Sequence, residues 1–345
     1  MRARAMPSRP VLGLLLSAVS GMALAQQTPD ALLERISAAV SDITYSGTMI
    51  RSVDNNISTL RVMHSNRDGV IREKLAAQDG EGREVIRNGD QLICLFPEQR
   101  VKLIESDTGP ASSLVRLPLA SSDLQRYYVL EDHGPARVAG RKVQRYFIKP
   151  RDGLRYGHRI WVDRETMLPL RMQMIGRTRV VEEIRFTNID IGIDIPDAEF
   201  ESDIDSTDFK VIRASAGPSP QATSTNVAAD TVARSEGWPA EASPGFRFRA
   251  TMTQTVRVNG QIAQRVVFSD GLATVSVFIA ARRADAEKSK PQSQMARIGA
   301  VHSYQRDVGD KTVTLMGEVP EATLRQVADL AEKQLMGASA PVAED

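Results

Sequence analysis

In the last third of the chain, short apolar runs rich in β-branched residues alternate with turn dipeptides. Val266, Val267 and Phe268 precede Ser269-Asp270-Gly271, and Thr274 to Ile279 follow it. Asp-Gly between two such runs signals a hairpin, because Gly accepts the positive φ of a tight turn. The pattern recurs around Asn259-Gly260, between Phe246–Val258 and Gln261–Phe268, and around Val308-Gly309-Asp310. These runs predict a small antiparallel sheet. Arg282 to Gln294 is charged and poor in apolar residues, which predicts a loop. After Pro320 the spacing changes: Leu324, Val327, Ala328, Ala331 and Leu335 share one helical face, and Gly337 is a fitting stop.

The first half carries the same contrast in reverse order. Thr28-Pro29-Asp30 supplies a capping hydroxyl, a proline at the first helical position and an acid in the first turn. Leu32, Leu33, Ile36, Ala39 and Val40 then form an apolar stripe that needs a surface to cover. From Ile43 to Ile189 strand-like runs follow one another, among them Tyr45–Val53, Gln91–Phe96, Tyr128–Leu130, Leu154–Val162 and Leu168–Ile175. Turn signals such as Arg67-Asp68-Gly69 and Asn88-Gly89-Asp90 separate them. About ten short strands in series predict one antiparallel sheet curled into a barrel or half-barrel. Ala111 to Arg126 interrupts the pattern, and Pro118 limits any helix there, so a flap across the sheet is expected. Residues 214–236 are rich in Ala, Ser, Thr, Pro and Gly and read as a linker, which if fully flexible spans roughly 25 Å.

Composition narrows the class. The chain has 345 residues, 42% hydrophobic and 25% charged, which describes globular domains. Arg2, Arg4 and Arg9, the run Val11 to Leu16 and the small residues ending at Ala23-Leu24-Ala25 read as a secretory signal peptide cleaved after Ala25. The expected mature chain is then soluble in an exported compartment. Without residues 1–25 it holds 41 basic and 43 acidic residues, a balance that gives no reason to expect nucleic-acid binding. Cys94, the single cysteine, lies in an apolar strand and reads as a buried thiol. His64, His133, His158 and His302 are scattered without metal-ligand spacing, and no nucleophile elbow or phosphate loop occurs. No catalytic residue, metal or cofactor is expected. Glu201, Asp203, Asp205 and Asp208 form an acidic cluster that lacks the spacing of a calcium loop.

One local charge excess stands out against this balance. Residues 137–185 hold thirteen Lys/Arg and five Asp/Glu. Arg155, Arg159 and Arg171 fall in one phase of the strand pattern. They are candidates either for a solvated face or for contact with anionic lipid headgroups, since Arg pairs well with phosphate. The opposite phase is apolar: Tyr156 and Ile160 on one strand, Met172 and Met174 on the next. These are candidates for core packing or for an acyl-chain cavity inside a half-open barrel. An apolar hollow bordered by arginines would suit a lipid A-like amphiphile.

The blocks FSDGLATVSVF and VGDKTVTLMGEVP, with Gly237-Trp238-Pro239 and Pro244-Gly245-Phe246 opening the same region, resemble the C-terminal domain of the MucB/RseB family of sigma-E regulatory proteins. The resemblance extends over nearly the whole chain beyond the signal peptide. It implies a mainly β (α+β) protein with a LolA/LolB-like curled antiparallel half-barrel and helix at residues 26–213. The linker at 214–236 would lead to a smaller antiparallel-sheet-plus-helix domain at 237–337 and a tail at 338–345. It implies that the exported compartment is the periplasm, and that the chain is a regulator that binds the periplasmic segment of an RseA/MucA-type anti-sigma factor, shields it from site-1 proteolysis and is released by lipopolysaccharide or related lipids. Arg265, Arg282 and Arg283, expected to be exposed beside the C-terminal strands, are candidate partner contacts. Judged from the N-terminal domain alone, the alternative is a soluble lipid or lipoprotein carrier of LolA type. Self-association stays open.

Overall fold

The computed structural model describes residues 28–54, 56–106, 124–215, 238–258, 261–282 and 293–337. The expected signal peptide, most of the flap and of the linker, the Asn259-Gly260 turn and the tail lie outside them.

Helix α1 (Pro29–Asp42) forms where its capping signals predict. The Thr28 hydroxyl accepts the Ala31 N–H at 3.2 Å, and Pro29 occupies the first turn, where its missing N–H costs nothing. Asp30 does more than favour the helix dipole. Its carboxylate accepts the N–H of Leu124, which opens the short helix α2 (Leu124–Tyr127). Leu32, Leu33 and Ile36 are almost fully buried against strands on both sides of the helix. Each such side chain contributes about 2 kcal/mol of transfer free energy.

The surface α1 covers is a twelve-stranded sheet, ordered β12-β6-β5-β4-β3-β2-β1-β11-β10-β9-β8-β7. The first strand, β1 (Tyr45–Val53), lies between β2 (Asn56–Arg67) and β11 (Val180–Ile191). One arm continues through β3 (Val70–Ala77), β4 (Glu84–Asn88), β5 (Gln91–Phe96) and β6 (Val101–Ser106). The other continues through β10 (Pro169–Ile175), β9 (Gly157–Asp163), β8 (Arg141–Pro150) and β7 (Tyr128–Val138). β7 also contacts β11, four places away in sheet order, so this arm curls around α1. The expected half-barrel with a helix in it is therefore observed.

Three details differ from the strand pattern. β7 runs on to Val138, past a register shift between Asp132 and Pro135; at the sheet edge the proline disturbs no second partner. β9 begins only at Gly157, because Leu154–Tyr156 are drawn into other contacts described below. A twelfth strand, β12 (Lys210–Ser215), pairs parallel to β6. A parallel neighbour needs a crossover, and residues 192–209 provide it along the outer side of β2–β4. Ile195 and Phe200 pack on Met63, Lys74 reaches Asp203 at 2.8 Å and the carbonyl of Glu201, and Asp208 pairs with Arg100. The acidic cluster thus straps this crossover to the sheet.

The second sheet has seven strands, ordered β13-β14-β15-β16-β19-β18-β17. They are β13 (Glu241–Ser243), β14 (Phe246–Val258), β15 (Gln261–Ser269), β16 (Thr274–Ala281), β17 (Ser293–Ile298), β18 (Val301–Val308) and β19 (Lys311–Gly317). Helix α3 (Glu321–Gly337) buries Leu324, Val327, Ala328 and Ala331 against Val266, Phe268, Val275, Val277, Val313 and Leu315. The segment expected to be a loop up to Gln294 instead enters β17 at Ser293. The Ser269-Asp270-Gly271 turn is also wider than a two-residue hairpin. Ser269 pairs with Thr274, and four residues loop between them.

Candidate functional site

Strands β9 and β10 carry most of the candidate lipid set, and their register sorts it. Ile160 stands opposite Met172 and His158 opposite Met174 on the side facing α1; Trp161 opposite Arg171 and Arg159 opposite Gln173 occupy the other side. The apolar and cationic candidates therefore lie on opposite faces of the same two strands, and the hollow bordered by arginines is not formed by this set. Strand alternation with period two dictates this separation.

On the inner side, Ile160 is buried in the α1 core with Met172 packed against it. The gap between Val40, Tyr45, Leu168, Pro169, Phe186 and Ile189 amounts to about 10 Å³, too little for an acyl chain. Tyr156 and Met174 belong elsewhere, packing with Val181 and with Ala300 of the second sheet. On the outer side, the Arg171 guanidinium lies 4.4 Å over the Trp161 ring and pairs with Glu183 at 2.9 Å. Burial alone would raise the Glu183 carboxyl, but hydrogen bonds from Arg171 and Gln173 outweigh it and hold it below the ordinary carboxylate value. Arg159 is exposed and lies over Phe147 at 5.3 Å. Much of the local charge excess is internally balanced: Arg141 pairs with Asp163 at 2.7 Å, Lys149 with Glu131 at 3.2 Å and Arg179 with Asp54 at 3.3 Å.

Arg155 departs from its expected place. It precedes β9, shares no strand face with Arg159, and its side chain is 0% exposed. Its Nε donates to Asp270 Oδ2 at 2.8 Å, and its remaining nitrogens reach Asp152 and the carbonyl of Pro244. The guanidinium is stacked between Tyr127 at 4.4 Å and Phe246 at 4.9 Å. Asp270, also 0% exposed in its side chain, accepts a second bond from the Tyr128 hydroxyl at 2.8 Å. Its other oxygen accepts the N–H groups of Leu272 at 2.9 Å and Ala273 at 2.7 Å, which shapes the four-residue loop. Burial, with the Asp270 charge beside it, pushes the Tyr128 hydroxyl well above its ordinary value, so it stays a donor.

The loop that opens between β15 and β16 is thus the plug of an interdomain joint. Leu272 at its tip is buried in the same cluster as α1. Around it, Thr323 donates to the carbonyl of Leu154 at 2.5 Å, Tyr156 and His302 lie 3.2 Å apart, and Arg297 reaches Asp54 at 2.9 Å. Gly245 and Gly299 sit at left-handed φ where a Cβ would collide with Arg155 and Tyr127 in one case and Val53 in the other. His158, next to the joint on the inner side, is pushed down to about 4 by burial, against an opposing pull from Asp270.

The candidate partner residues are less exposed than expected. Arg265 is half-buried, bonded to the Ser276 hydroxyl at 2.9 Å and lying over Phe278. Arg282 is only 11% exposed in its side chain and faces Asp307 at 3.4 Å, because the β16 end is drawn under the β18–β19 turn. Arg283 lies outside the described residues. Tyr128, Asp270 and Leu272, which build the joint, carry no signal of it in the sequence: there Asp270 is a local turn residue, and nothing marks the buried arginine that meets it 115 positions away.

Among the described residues, no group of three or more His, Cys, Asp or Glu is placed to hold a metal, and no helix is long and apolar enough to cross a membrane. A curled sheet around a helix, joined to a second sheet-plus-helix unit by a buried ionic joint, defines a two-domain scaffold for binding. The MucB/RseB N-terminal domain matches residues 28–204 and the MucB/RseB C-terminal domain residues 232–332, and the chain belongs to the MucB/RseB family. It is 30% identical over 299 residues to the sigma factor AlgU regulatory protein MucB of Pseudomonas aeruginosa, covering 86% of this chain and 88% of that one. It is 28% identical over 322 residues to the sigma-E factor regulatory protein RseB of Salmonella typhimurium, covering 90% and 92%. The fold matches MucB in the complex structure of Pseudomonas aeruginosa MucA/MucB with a TM-score of 0.64 at 23% identity, over 87% of this chain and 96% of that one.

Proposed function

We propose that this chain is a periplasmic negative regulator of a sigma-E-type envelope-stress response. It binds the periplasmic segment of a MucA/RseA-type anti-sigma factor and shields it from the site-1 protease, so that the sigma factor stays sequestered. The observation that carries this reading is similarity across both family domains at once, at 30% identity to a MucB regulatory protein. Export follows from the signal peptide ending at Ala25. The activity needs no catalysis, only differential affinity: a lipid that binds one domain arrangement better than the partner-bound one shifts the population. We place the partner on the C-terminal sheet face turned away from α3, where Arg265, Phe278, Thr314 and Gln305 stand in one cross-strand row.

The test is a protease-protection assay with the anti-sigma periplasmic segment of the same organism and the mature chain, with and without lipopolysaccharide. Protection that lipopolysaccharide relieves, and that Arg265→Glu weakens at least tenfold, is the expected result. Absence of both binding and protection sinks the regulator reading.

A further inference from the structure

The joint has the chemistry of a ligand site whose ligand is part of the chain. On the N-terminal side stand the Arg155 guanidinium, the Tyr128 hydroxyl and the Tyr127 ring, and beside them is the apolar seat of Leu272. The C-terminal side delivers a carboxylate, Asp270, and two residues later an isobutyl group, Leu272. Charge-assisted bonds at 2.8 Å from both a guanidinium and a phenol are those of a dedicated anion seat. If the C-terminal domain lifts away, Arg155 keeps Asp152 but loses Asp270, the Pro244 carbonyl and the Phe246 ring. Lifting the domain opens Arg155 and Tyr128 to water beside the Tyr127 ring, and an anion that carries its own apolar chain would replace both the lost charge partner and the lost cover.

We propose that the Asp270–Leu272 loop is a built-in ligand, and that its seat recognises an anionic group attached to an apolar chain. A free phosphate- or carboxylate-bearing amphiphile competes with Asp270 for Arg155 and Tyr128 and with Leu272 for the apolar seat, and so separates the two domains. This deepens the regulator reading and rests on it for its biological consequence, since it gives the lipid signal a place to act. The other interdomain contacts include polar pairs such as Arg297 with Asp54, which water can replace when the domains part. They also include the part-buried bond from Thr323 to the Leu154 carbonyl and a small apolar cluster of Tyr156, Met174, Val181 and Ala300, whose exposure the incoming amphiphile must also offset.

The test uses the full mature chain with Cys94→Ser, labelled at Ile193→Cys on the first domain and Met336→Cys on α3, both exposed positions. The interdomain distance is read by double electron–electron resonance during titration with decyl phosphate below its micelle concentration. Inorganic phosphate and decyltrimethylammonium serve as the head-only and wrong-charge arms. Decyl phosphate alone should lengthen the distance, and Asp270→Asn, which turns an amide toward Arg155, should lower the midpoint concentration at least tenfold. Should that variant not fold, Leu272→Ala gives the same reading from the apolar side. An unchanged distance with decyl phosphate, an equal response to decyltrimethylammonium, or an unmoved midpoint in the variant overturns the proposal. Protection of the anti-sigma segment is followed in the same samples. Separation without loss of protection keeps the seat and removes its link to regulation, whereas loss of protection without separation rejects the seat and leaves the regulator reading standing.

Discussion

Acid should loosen the N-terminal domain before any of its paired carboxylates titrates, and His158 is the reason. Its ring lies on the inner side of β9, opposite Met174 on β10 and Ile148 on β8, and burial lowers it from 6.5 to about 4. In the unfolded chain the same ring protonates near 6.5. Above pH 6.5 both states are neutral and the residue has no effect on stability. Between 6.5 and 4 the unfolded chain gains a proton that the folded chain refuses, so stability falls as pH falls. At about 1.4 kcal/mol per pH unit, the full window is worth about 3 kcal/mol, and pH 5 already costs about 2 kcal/mol. His64, lowered by burial under the end of α1, adds in the same direction. Asp54, Glu131, Asp163 and Glu183 are held below their ordinary values, so they remain ionised through this window and lose their contribution only at lower pH. Urea unfolding at pH 7.5, 6.0 and 5.0, followed by Trp161 fluorescence in a Trp238→Phe background, measures the loss. His158→Gln should remove most of it. Equal losses in the variant and its parent, or a flat profile down to pH 5.0, would refute the reasoning.

Three further outcomes follow from packing and capping. Gly47→Ala places a Cβ against the Asn188 carbonyl and the Phe186 ring in the middle of the sheet, and thermal unfolding should show a loss of about 2 kcal/mol or more. Thr28→Ala removes the hydroxyl that caps α1 and should cost about 1 kcal/mol in urea unfolding, with the fold intact by circular dichroism. Leu33→Ala leaves a cavity between α1 and the sheet and should cost about 3 kcal/mol, several times the effect of a similar truncation at exposed Met336.

Local signals were enough for most elements. A cap residue, a proline in the first turn and an apolar stripe describe α1 whatever lies beside it, and the two-residue turn at Asp68-Gly69 needs only its own backbone. Pairing across many residues was less accessible. That β1 lies beside β11 and that β12 joins β6 in parallel depends on which surfaces remain to be covered once the hairpins have formed. The candidate site divided in the same way. Alternation assigned Ile160 and Met172 to one face and Arg159 and Arg171 to the other, but it could not show that the inner face is filled by α1 or that the arginines meet Glu183 and aromatic rings.

Arg155 and Asp270 show where the boundary lies. The sequence by itself determined that one is a cation at the head of a strand and the other an acid in a Gly-containing turn, because backbone preference and hydrogen-bonding reach act over a few residues. Only the tertiary structure decided that both side chains leave solvent together, with Tyr128 donating to the same oxygen and Leu272 seated behind them. Burying either charge alone would be costly, so each can occupy the joint only because the other arrives. That mutual condition joins two domains and appears in neither segment alone.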